Sequence, residues 1–176
     1  MSVLVVPIDL QLTGAQLAVL IERLRRVFAV AVDARPIELD ISSAFDRLRG
    51  QYDAMRLLHL LVAVKSPTQE KLLLLLEQDL FIPVLSYIFG QAQLGGRAAV
   101  VSMYRLRNER YGLPADDALL LGRLEKEAVH ELGHTFGLIH CADARCVMHA
   151  STYVEEIDFK GDALCADCLT RVRRAR

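Results

Sequence analysis

The sequence carries no excess of either charge. Its 21 lysines and arginines stand against 22 aspartates and glutamates, a formal net charge of −1. A non-specific nucleic-acid binder shows a large basic excess, so no nucleic-acid partner is expected. Long hydrophobic runs are missing as well. Leu72–Leu76 is bounded by Lys71 and Glu77 and Val27–Val32 by Arg26 and Asp33, whereas a membrane-spanning helix needs ~20 apolar residues. No basic segment opens the chain, and Pro7 and Asp9 interrupt its first apolar residues. A first strand is expected there, with neither signal peptide nor prodomain ahead of it, and a cytoplasmic location. Repeats and low-complexity segments are also missing. A disordered chain would be less apolar than this one, which is 53% hydrophobic and 24% charged. Its 176 residues suffice for one domain with a sizeable core.

Val3–Ile8 reads as a buried strand. Thr13 or Gly14 opens a helix with apolar Leu17, Leu20, Ile21, Leu24 and Val27 on one face. Ala29–Val32 is expected as the next strand, ended by a turn at Asp33–Pro36, which together predict a βαβ unit. A second helix is expected from Gly50 to about Val64, stopped by Ser66-Pro67. The apolar runs Leu72–Leu76, Phe81–Phe89 and Ala98–Met103 read as strands, one or more at a sheet edge. Asn108–Asp117 is polar and turn-rich, a loop. From about Ala118 the helical period returns and runs through His134, with Gly137 ending it. The 39 residues from Leu138 to Arg176 contain every cysteine and show little hydrophobic period.

The chemistry is concentrated at His130-Glu131-Leu-Gly-His134-Thr-Phe-Gly137-Leu-Ile-His140. On a helix, residues four apart share a face, so His130 and His134 reach one ion. Glu131 lies about 100° round the helix from His130, beside the ion and not on it. From there it can move a proton between water and a leaving amine. Gly137 allows a sharp turn that brings His140 round as third ligand. Three protein ligands leave a fourth position open, the arrangement of catalytic zinc. An HExxH pattern arises by chance in roughly 2 of 100 shuffled chains of this composition. The later Gly and His lower that by about three orders of magnitude.

Cys141 and Cys146 form one close pair, Cys165 and Cys168 another. This spacing matches a four-thiolate structural zinc site. Two disulfides, a redox CxxC pair or free thiols are the alternatives. A redox CxxC usually opens a helix in a βαβ context, which is not expected here.

Taken together, HExxHxxGxxHC, then C-x-M at Cys146–Met148, then Cys165-x-x-Cys168, resembles the archaemetzincin family of metzincin-type zinc metallopeptidases. Arg49–Tyr52 and Ile88–Ala92 are similar to family segments upstream. The resemblance implies an α+β, metzincin-like fold: a twisted mixed sheet with helices above an active-site cleft, and a small irregular, zinc-stabilised C-terminal part. One catalytic domain over 1–176 follows, with an upper subdomain of about 1–137 and a lower one of about 138–176. The resemblance also implies two zinc ions, one catalytic on His130, His134 and His140, one structural on the four cysteines. Met148 would then lie beneath the histidines as a supporting residue, as Gly137 supports the turn. An edge strand, Ser86–Phe89, would bind an extended peptide by strand addition. Where some metzincins place a metal-binding tyrosine, this chain has Ala150, so no tyrosine ligand is expected from Tyr153.

The expected activity is hydrolysis of peptide bonds with Glu131 as general base. The alternative is a zinc-stabilised peptide-binding protein with weak or no hydrolysis. His59 is expected in the core and His149 partly exposed. Glu155, Glu156 and Asp158 are expected in a solvated loop, and Arg171–Arg176 in a frayed basic end.

Overall fold

The computed structural model describes residues 1–67 and 70–175. The chain opens with β1 (Ser2–Ile8), α1 (Gly14–Phe28) and β2 (Ala31–Ala34). Thr13 caps α1 in a reciprocal box with Gln16. Ala29 ends the helix in the left-handed conformation, φ 44°. That delays the second strand to Ala31, and β2 runs through Asp33 and Ala34, where a turn was expected. β1 and β2 pair in parallel, as a βαβ unit requires.

A short hairpin of β3 (Phe45–Asp46) and β4 (Gln51–Asp53) precedes α2 (Ala54–Val62). Gln51–Asp53 is therefore strand, not the first turn of a helix beginning at Gly50. Asp53 sets the start, because its carboxylate accepts from the Met55 and Arg56 amides. His59 is exposed on α2, contrary to the expected core position. The buried face of α2 is formed instead by Ala54, Leu57, Leu58 and Leu61.

β5 (Glu70–Leu76), β6 (Leu80–Ile82), β7 (Leu85–Ile88), β8 (Gly90–Ala92) and β9 (Ala98–Ser102) follow. The Phe81–Phe89 run is a hairpin and not one strand, turning at Pro83 and Val84. The main sheet has the order β2-β1-β5-β9-β8, parallel throughout except for the antiparallel edge β8. A second sheet has the order β3-β4-β6-β7. The main sheet is buried on both faces, which is why β5 is apolar without a break from Leu72 to Leu76. Leu73, Leu75, Val101 and Val5 face α1 and α3 (Asp117–Thr135). Leu72, Leu74, Leu76 and Val100 face α2.

The C-terminal part is more regular than expected. Val154–Phe159 forms α4 and Ala166–Arg174 forms α5. Glu155, Glu156 and Asp158 therefore stand on a helix and not in a loop. Glu156 caps the Thr152 and Tyr153 amides, and Asp158 makes a two-pronged ion pair with Arg123 at 2.6 and 2.7 Å. Arg171, Arg173 and Arg174 belong to α5, which corrects the frayed end; Arg176 lies outside the described residues. No helix among the described residues is long and apolar enough to cross a membrane.

Candidate active site

α3 carries the first two histidines and the glutamate. Its 19 residues begin after Asp116, whose carboxylate accepts from the Leu119 amide. It ends in a Schellman motif: the Leu138 amide donates to the Gly133 carbonyl at 3.0 Å and the Gly137 amide to that of His134 at 2.9 Å. Gly137 has φ 86°, where a side chain would be strained. Donors from other segments hold that end as well. The Gly95 amide donates to His134 O at 2.9 Å. Lys71 Nζ donates to Thr135 O at 2.7 Å and to Gly96 O at 3.0 Å. Lys71 is buried, and burial lowers its pKa.

The turn places His140 beside the other two histidines. Their ring centroids lie 4.8, 5.0 and 5.2 Å apart, and one nitrogen of each falls within 4.8 Å of the others. His130 Nδ1 lies 2.9 Å from the Val147 carbonyl and His134 Nδ1 2.7 Å from that of Leu138. A carbonyl only accepts, so both Nδ1 atoms carry the proton. Burial lowers the pKa of His130 strongly and those of His134 and His140 as well, keeping the rings neutral. The Nε2 atoms of His130 and His134 then face each other unprotonated at 3.1 Å. Two opposed lone pairs repel unless a cation lies between them, so the donor set fits a metal ion.

Glu131 is buried in the same cleft. Burial first, then the Glu127 carboxylate, push its pKa well above the usual range, against the pull of Lys160. It lies against the edge strand at Gly90. A Cβ on Gly90 would stand 2.6 Å from Glu131 Cγ. Gly90→Ala is therefore expected to displace the carboxylate and cut turnover about 100-fold. Bound metal should be unchanged, and steady-state kinetics beside metal analysis checks both. Met148 is fully buried under α3, and its Sδ lies 2.5 Å from where a Gly133 Cβ would stand. A side chain at 133, a position the sequence pattern did not single out, would have to push the Met148 thioether aside.

The cleft has a volume of about 600 Å³. β7 and β8 form one rim, and Ala150–Tyr153 the other. Ser86–Phe89 was the expected edge strand. The structure places two edges there: β7 is the edge of the small sheet and β8 the edge of the main one. Tyr87 Oη donates to the Thr152 carbonyl across the cleft at 3.2 Å. Leu94 and Ile139, both exposed, flank the cleft toward the C-terminal end of α3. Tyr153 lines it too and is 61% exposed.

Below the histidines the four cysteine sulfurs converge within 4.8 Å of one another. A tetrahedral site with Zn–S of ~2.3 Å has S···S edges of about 3.8 Å. Cys141 Sγ and Cys165 Sγ are 3.8 Å apart. Cys165 does sit at a helix start, as N-cap of α5, a feature shared with redox pairs. Here the helix start serves the cluster: the Cys165 amide donates to Cys146 Sγ at 3.3 Å. The Cys168 amide lowers the Cys165 pKa, while burial raises that of Cys168. The two centres are linked, since the Cys141 amide donates to the Met148 carbonyl at 2.9 Å. His149 is half-buried, with Nδ1 3.0 Å from the Cys141 carbonyl.

The profile of peptidase family M54 matches residues 28–174. The chain belongs to that family, the archaemetzincins. It is a zinc metallopeptidase. The archaemetzincin of Methanocaldococcus jannaschii is 40% identical over 131 residues, which are 74% of this chain and 70% of that one. The crystal structure of the archaemetzincin from Methanopyrus kandleri superposes with a TM-score of 0.87 at 35% identity, covering 99% of this chain and 94% of that one. A zinc-dependent peptidase from Methanocorpusculum labreanum superposes with a TM-score of 0.84 at 30% identity, covering 97% and 99%. The archaemetzincin fold expected from the motif is thus the fold observed, a mixed sheet with helices and a C-terminal cysteine cluster.

Proposed function

We propose that this chain hydrolyses peptide bonds with His130, His134 and His140 holding a catalytic zinc ion and Glu131 as general base. Cys141, Cys146, Cys165 and Cys168 hold a second, structural zinc. The observation that carries this reading is the convergence of three neutral imidazoles and one buried carboxylate on a single cleft. When bound, the catalytic zinc supplies Lewis acidity, polarising the scissile carbonyl and lowering the pKa of the attacking water. Glu131 accepts that water's proton and then delivers it to the leaving amine. The Val147 and Leu138 carbonyls fix the orientation of His130 and His134. Gly90 leaves room for Glu131, and the β8 edge offers backbone groups to an extended peptide. Gly137 shapes the turn to His140, and Met148 forms the floor.

The parts fit one domain, with residues of about 1–137 above the cleft and about 138–176 below it. The zinc-loaded chain, incubated with a mixed peptide library, should yield new peptide termini by mass spectrometry. A chelator should suppress them and added zinc restore them. Binding of peptides with no chelator-sensitive cleavage would instead favour a zinc-stabilised peptide binder.

A further inference from the structure

Glu127 lies on α3 one turn before His130 and Glu131, so its side chain shares their face. It is only 4% exposed, yet it lines the cleft. Lys160, 3% exposed, follows α4 and donates from Nζ to Glu127 Oε1 at 2.8 Å and to the His149 carbonyl at 3.3 Å. Among the described residues no protein donor reaches the second oxygen, Oε2. An ion pair serving the core alone would have both oxygens satisfied, because a buried unpaired acceptor is costly. This one has one oxygen tied down, while Oε2 is neither bonded to protein nor sealed from solvent, in a residue that lines the cleft. The Thr152–Tyr153 rim is on the same cleft.

The geometry points to Glu127, held by Lys160, as the specificity determinant of a subsite next to the reacting centre. It selects a substrate side chain ending in N–H donors, an amine or an amide. The inference rests on the cleft being the peptide site. An apolar side chain of equal length would strip water from Oε2 and return no hydrogen bond. A carboxylate side chain would bring a second acceptor of like charge against Glu127 and no donor. The Lys160 bond fixes the Glu127 rotamer, so the acceptor is in place before the substrate arrives.

The test uses alanine-based pentapeptides carrying lysine, glutamine, norleucine or glutamate at each position in turn. Affinities are measured by calorimetry on the zinc-loaded Glu131→Gln chain, and hydrolysis of the same set on the wild type. At one position lysine and glutamine should bind at least ~10-fold tighter than norleucine, with glutamate weakest. In the double variant Glu127→Leu/Lys160→Met, which replaces the pair by apolar residues of similar volume, norleucine should become the preferred residue. Equal affinities across the set, no measurable binding, or an unchanged preference in the double variant would overturn the inference. A failed peptidase reading looks different: the binding preference is present while the wild type cleaves none of the peptides.

Discussion

Glu131→Gln should retain metal and lose peptide hydrolysis by a factor of about 10²–10⁴, the usual contribution of a positioned general base. The substitution is nearly isosteric, so the amide keeps the place against Gly90 that the carboxylate occupies. The three histidines are untouched, and their orienting carbonyls come from Val147 and Leu138, not from Glu131. Metal content by elemental analysis should therefore match the wild type. What disappears is the proton acceptor, because a neutral amide takes no proton from water at neutral pH. In barrier terms the loss is about 3–5 kcal/mol. Stability should move the other way. Glu131 is buried near a second carboxylate, a position that disfavours its charge. Removing that charge should leave Tm unchanged or raise it. An inactive variant with wild-type Tm and metal content separates a chemical role from a structural one. Cleavage within twofold of wild type would remove Glu131 from the mechanism.

The three-histidine cluster was legible because its geometry is local. His130 and His134 are one helical turn apart, and Gly137 sets the turn to His140, so a sequence window of eleven residues contains the arrangement. The cysteines were legible through spacing alone, although Cys141 and Cys165 meet across 24 positions. Boundaries were harder. α1 ends at an alanine in the left-handed region, a conformation no residue pattern announces. The 50–53 segment pairs as a strand because β6 lies beside it, which is tertiary information. His59 sits in an apolar stretch, but α2 packs on one side only and leaves it outside. The Glu127–Lys160 pair was not legible. Both residues lie in the stretch from Glu127 to Cys168 that resembles the family, but they are 33 residues apart and each reads singly as a surface charge. Gly133 is the intermediate case: it is inside the motif, yet only the Met148 packing shows why it is glycine.

Cys165→Ser with Cys168→Ser should lower bound zinc from two equivalents per chain to one and loosen the segment from about 141 to 175. A closed thiolate site in small zinc domains binds with about 10–16 kcal/mol, comparable with the whole stability of a domain, about 5–15 kcal/mol. The segment offers little to replace it. α4 and α5 are six and nine residues long, too short to be stable alone. Their buried apolar residues are few: Val154, Ile157 and Val172. The ion pair Arg123–Asp158 and the three carbonyls bound by Lys126 Nζ hold α4 to α3, so loss of order should begin at α5. Limited proteolysis should cut first there, with the 117–135 helix still protected. The effect should then pass upward, because the Cys141 amide holds the Met148 carbonyl and the Val147 amide holds that of Ala163. Val147 in turn accepts from His130. Affinity for the remaining zinc should therefore fall even though its three ligands are intact. Two zinc equivalents retained in the variant, or one zinc with two disulfides in the wild type, would dismiss the four-cysteine site. One zinc retained with unchanged affinity would keep that site but cut its link to the histidines.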